Sequence, residues 1–139
     1  MMTHLPVFLV IVPLLAAPLA LLLRRSTAVQ TLVSLVLLHQ LVVAVQLVGR
    51  VFESGVISYP IGNWPPPWGI ELFVDPLNAL IVLLLALIGA IVGPWSLSAA
   101  EQEIPGRRQH VFSALLLLMT AGLYGMSVTG DAFNVFVFL

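Results

Sequence analysis

The chain has 139 residues, 60% of them hydrophobic and only 8% charged, and a mean hydropathy of +1.13, which together exclude a water-soluble globular domain. Five basic residues, all arginine, stand against six acids for a formal charge of -1, a balance that argues against a nucleic-acid interface or a polybasic lipid clamp. With no cysteine, disulfides, thiol catalysis and cysteine-ligated clusters are excluded as well.

The first apolar run, residues 5–23, is long enough to cross a bilayer and is closed by Arg24 and Arg25. Pro6 suits a helix start, whereas Pro13 and Pro18 predict kinks. A cleaved leader would carry its positive charge before the apolar run; here the arginines follow it, so the run reads as a membrane span. A second span is predicted over 28–51. At 100° per residue His39, Gln46 and Arg50 fall within about 40° of one another, giving this helix a polar side. The loop over 52–71 contains Gly55, Tyr59, Pro60, Gly62, Trp64, three prolines from Pro65 to Pro67, and Trp68. That composition forbids a continuous helix, and its aromatic residues suit an interfacial belt.

A third span, 76–96, opens with Asp75 as N-cap and Pro76 at the first helical position, where its missing N–H costs nothing. Asn78 stands in the same first turn. Ala79, Ala86, Gly89, Ala90 and Gly93 share one face, and the Gly89/Gly93 pair predicts close approach of a neighbouring helix. After a polar link over 97–110 comes a fourth span, 111–128, with a polar stripe of Ser113, Thr120, Tyr124 and Ser127. Thr129, Gly130 and Asp131 then break the run, and a fifth helix starts over 131–139. The fold expected is an all-α membrane bundle of about four spanning helices and the start of a fifth, in one domain. Arg24 with Arg25 and Arg107 with Arg108 occupy links on one side, which the positive-inside rule makes cytoplasmic, so the N-terminus lies outside.

Three segments carry a resemblance: GNWPPPWGIELFVD over 62–75, PLNAL over 76–80 and TGDAFNVFVF over 129–138. Together they resemble the antiporter-like subunits of Mrp-type monovalent cation/proton antiporters, the D-type above all, and the related proton-translocating subunits of respiratory complex I. The resemblance is good over 55–139, while the first two spans match only in being apolar. It implies the N-terminal part of a many-helix ion-translocating subunit in which a glutamate on the fifth helix pairs with a lysine on a later one. That glutamate would follow Leu139, and this chain has no lysine, so the expectation is a fragment, or one piece of a split subunit, that works only in a larger assembly.

The candidates for an ion path are His39, Asp131, Thr120 and Tyr124. Each has a structural alternative: a hydrogen bond to another helix for His39, an N-cap for Asp131, and bonds to its own helix backbone for a hydroxyl such as that of Thr120. Asp75 and Asn78 are read as caps, Trp64 and Trp68 as interfacial anchors. His4, His39 and His110 lie on different segments, so no metal site is expected, nor any cofactor. The expected partners are other membrane subunits, including the missing C-terminal part, together with the bilayer, protons and monovalent cations. The expected location is the inner (plasma) membrane, as a multi-pass transporter subunit and not an enzyme. Alternatives are a subunit of a complex I-like dehydrogenase or membrane-bound hydrogenase, and a non-conducting structural subunit. A haem-bearing quinone anchor would need paired histidines within the spans, and His39 stands there alone.

Overall fold

Helix ends in this chain follow local chemistry. In the computed structural model, which describes residues 4–23, 25–63, 69–104 and 106–139, the helices are α1 (Leu5–Leu22), α2 (Ser26–Ser54), α3 (Pro76–Glu103), α4 (Gly106–Val128) and a short α5 (Ala132–Phe138). Four of them are long and apolar enough to cross a membrane, so the chain is a multi-pass membrane protein. Pro13 and Pro18 lie within α1, and each removes one N–H from the helical ladder. Gly55 ends α2 at φ 83°, in the left-handed region that glycine enters without steric cost, and its N–H bonds the Val51 carbonyl at 3.0 Å. Asp75 Oδ1 accepts from the Asn78 N–H at 2.7 Å, which caps α3, and Asn78 Nδ2 donates to the Phe73 carbonyl at 3.1 Å.

Two features differ from the sequence reading. The stretch 97–110, expected as a polar link, is mostly helical, because α3 runs to Glu103 and α4 resumes at Gly106. Leu97 and Ala100 are buried, so the packing face continues past the end of the apolar run, and Glu101, Gln102 and Glu103 are good helix formers. The loop after α2 folds into an antiparallel hairpin of β1 (Ile57–Pro60) and β2 (Glu71–Val74), pairing Ile57 with Val74 and Pro60 with Glu71. Leu72 and Val74 are buried while Phe73 is exposed, an alternation too short to stand out in the sequence. The proposed anchors Trp64 and Trp68, and Arg24, lie outside the described residues.

Packing closes a ring. α1 lies against α4 and α2, α2 against α3, and α3 against α4. The interior divides into two apolar clusters: Leu9, Val10, Val43, Ala44, Leu47, Val82 and Tyr124 in the half nearer the hairpin, and Ala16, Ala17, Val33, Leu37, Leu97 and Leu117 in the other. Gly93 takes Leu37 of α2 so closely that a Cβ there would overlap its side chain. This is the close approach predicted for the Gly89/Gly93 face. α5 folds back on α4, and a Cβ on Gly122 would stand 2.7 Å from the Phe138 carbonyl.

Different bonds tie the two ends. At the hairpin end, the Gly130 N–H donates to the Glu71 carbonyl at 3.0 Å and Thr129 forms a β-bridge with Leu72. His4 Nδ1, before α1, is 2.7 Å from the Tyr59 hydroxyl. Ser58 also bonds the Glu71 carboxylate. At the opposite, arginine-flanked end, Ser26 at the start of α2 meets Glu101 of α3 and Gln109 of α4.

Candidate functional site

Of the four ion-path candidates, the fold brings Thr120 and Tyr124 together. They stand one turn apart on α4, both buried, and line a groove of about 530 Å³ between α3 and α4 whose other walls include Leu37, Leu85, Gly89, Gly93 and Leu116. The Thr120 hydroxyl donates to the Leu117 carbonyl at 2.8 Å, and Ser127 donates to the Leu123 carbonyl at 2.7 Å. Both protons are therefore spent on the helix that carries them, leaving the oxygen lone pairs for a ligand. Among the described residues Tyr124 is the largest fully buried side chain.

His39 and Asp131 are placed elsewhere. His39 is exposed on the outer side of α2, as is Gln46 of the same stripe. Asp131 is exposed in the turn before α5, where its carbonyl accepts from the Val135 N–H at 3.3 Å and the Thr129 hydroxyl lies 3.4 Å from the same oxygen. Asp131 thus occupies the N-cap position of α5. Among the described residues no three His, Asp or Glu side chains gather as metal ligands.

The polar residue that faces inward on α2 is Gln40. It is fully buried, and neither Oε1 nor Nε2 has a hydrogen-bond partner. It stands midway along Ser26–Ser54, on the stripe of Val36, Leu37, Val43, Ala44 and Leu47 that forms the packing face. Leu37 belongs to one apolar cluster, Val43 and Ala44 to the other, so the amide lies at their junction. On α1 the same junction falls between Val10 and Ala16, where buried Pro13 denies the Leu9 carbonyl its ladder partner. An unpaired amide at this depth costs several kcal/mol by water-to-hydrocarbon transfer, on the order of 1–3 by protein mutagenesis, unless water or a rearranged side chain reaches it. Asn134 of α5 is likewise buried, with Nδ2 unpaired. The sequence holds a signal for Gln40, since it is the one polar member of a 3/4-spaced row of small apolar residues.

No family model matches the chain. Its sequence is 41% identical, over 100% of this chain and 28% of the relative, to the N subunit of the NADH-quinone oxidoreductase of Desulforudis audaxviator. It is 32% identical, over 93% of this chain and 26% of the relative, to the D-type subunit of the Na(+)/H(+) antiporter of Bacillus subtilis. In fold it matches a chain in the structure of the Mrp complex from Dietzia sp. with a TM-score of 0.82 at 31% identity, over 99% of this chain and 25% of that one. The chain thus spans roughly a quarter of the length of these relatives, an N-terminal portion. The likeness runs through α1 and α2 as well as the hairpin and α3, so the first two spans share more with these proteins than apolar composition.

Proposed function

We propose, from this kinship with the antiporter-like membrane subunits, that the chain is the N-terminal part of an ion-translocating subunit of a multisubunit monovalent cation/proton antiporter. It works within a larger assembly of membrane subunits in the plasma membrane, with the arginine-flanked links on the cytoplasmic side. One observation carries the reading: sequence and fold agree with Mrp-type relatives over nearly the whole chain. The interior agrees in chemistry, since Gln40, Thr120 and Tyr124 put polar atoms at membrane depth, where a purely structural bundle gains little from them. These groups hold no fixed charge, so at membrane depth this part of the subunit supplies hydrogen-bonding walls, and an ionisable relay at that depth belongs to the remainder of the assembly.

A second reading, a proton-translocating subunit of a complex I-like quinone oxidoreductase, is favoured by the 41% identity to an N subunit of that kind. The deciding experiment is reconstitution of the assembly, purified through a tag on this chain, into vesicles carrying a pH-sensitive dye. Proton movement driven by an imposed sodium or potassium gradient supports the antiporter. Proton movement only on addition of a reductant and quinone supports the second reading, and neither response defeats both.

A further inference from the structure

At the arginine end, α2, α3 and α4 meet around a small pocket of about 10 Å³, room for one water molecule. Its polar lining is Ser26 and Gln30 from α2, Glu101 from α3, and Gln109, His110 and Ser113 from α4. His110 is one of the lining residues, and its Nδ1 is buried without a hydrogen-bond partner. Ser26 Oγ lies 3.0 Å from Glu101 Oε1 and 3.1 Å from Gln109 Oε1. Gln109 Nε2 donates to the Ile104 carbonyl at 3.2 Å, which fixes Oε1 as the atom turned toward Ser26. A hydroxyl has one hydrogen, so of these two oxygen–oxygen contacts one lacks a full proton. A proton arriving on Glu101 supplies it: the carboxyl then donates to Ser26 and Ser26 to Gln109. Glu101 is exposed and reaches bulk water, whereas His110 Nδ1 does not.

We propose that this pocket holds one water joining the Glu101–Ser26–Gln109 chain to His110 Nδ1, forming a proton-exchange site that opens to bulk water at Glu101. A proton from hydronium binds the Glu101 carboxylate. The carboxyl passes it to Ser26 Oγ as the Ser26 hydroxyl proton moves to the pocket water, and the water passes a proton to the Nδ1 lone pair of the Nε2–H tautomer, giving an imidazolium. Return of the Nδ1 proton to the pocket water by the reverse path restores the Nε2–H tautomer, and no other bond changes. Among the described side chains the remaining charged groups of this end are Arg25 before α2, Glu103 on α3 and Arg108 on α4, all exposed, and α1 brings no titratable side chain to it; Arg24 and Arg107 flank the same end in the sequence. The site deepens the proton-transport reading and rests on it only for the destination of the proton.

The test is magic-angle-spinning NMR of the purified assembly in lipid with 15N-labelled histidine, the His110 signal being identified by its loss in His110→Ala. The expected result is a water cross-peak to Nδ1, with exchange of the ring proton with bulk water slowed about tenfold in both Ser26→Ala and Glu101→Gln and restored in Ser26→Thr. No water cross-peak, or exchange unchanged in both variants, overturns the proposal. If Ser26→Ala fails to assemble, Glu101→Gln decides, because an exposed carboxylate is dispensable for folding. Cation-driven proton flux in the same preparation judges the transport reading separately: a hydrated, exchanging His110 in a complex that moves no protons supports the site and defeats that reading.

Discussion

At the hairpin end the bundle is closed by backbone: β2 pairs with β1 on one edge and with the turn after α4 on the other, and the Gly130 N–H is bonded to the Glu71 carbonyl. At the arginine end closure depends on side chains, with one serine hydroxyl shared between a carboxylate and an amide. Backbone pairs are committed to each other and exchange only when the strand opens. A hydroxyl, a carboxylate and an imidazole reorient without moving the helices, and two of them hold protons. The two ends thus differ in how firmly their hydrogen bonds are fixed, which is the difference the proposed proton-exchange site depends on.

The sharpest way to break this comparison is Gly130→Val. A Cβ at Gly130 already stands 3.0 Å from the Phe73 Cβ, so the branched side chain should force the turn off the strand and cost about 1–3 kcal/mol. Thermal unfolding in detergent measures it, and an unchanged midpoint would mean the hairpin seal is loose. Between the two ends, Gln40→Leu should stabilise the bundle by about 1–2 kcal/mol, since it replaces an amide without partners by a side chain that fits the apolar row. A destabilised variant would show that the amide has a bound partner in the membrane. Asp75→Ala removes the cap on the hairpin side of α3 and should cost about 1 kcal/mol, seen as faster hydrogen exchange confined to the first turn of α3. The smallest effect belongs to Tyr59→Phe, which deletes the bond to exposed His4 and should cost about 0.5 kcal/mol. A much larger loss in that melting experiment would make His4 a principal fastening of α1 to the hairpin.

Much of the fold was legible from short-range chemistry. Asp75 and Pro76 mark the start of α3 because a cap and a proline at the first helical position are local requirements. The Gly89/Gly93 face was legible for a similar reason, since a missing Cβ is a local fact and Leu37 seats against it. The candidate site was less legible. The stripe of His39, Gln46 and Arg50 gives α2 a polar side, but His39 and Gln46 face outward and Gln40, a hundred degrees round the helix from His39, faces in. The helix is apolar on nearly every side, so its periodicity does not say which side packs.

Sequence by itself determined that this chain lives in a membrane, how many times it can cross, where α3 is capped at its start, and which proteins it resembles. These depend on composition and on neighbours within a turn. Tertiary structure alone decided that Gln40 lies at the junction of the two apolar clusters, that β2 joins the turn before α5, and that Ser26, Glu101, Gln109 and His110 share one pocket. The reason is physical: lipid and protein interior are equally apolar, so hydrophobicity sorts residues into the bilayer without sorting them toward a particular neighbour. Which helix faces meet is settled by the fit of small residues against large ones and by contacts between residues as distant in the chain as Ser26 and Gln109.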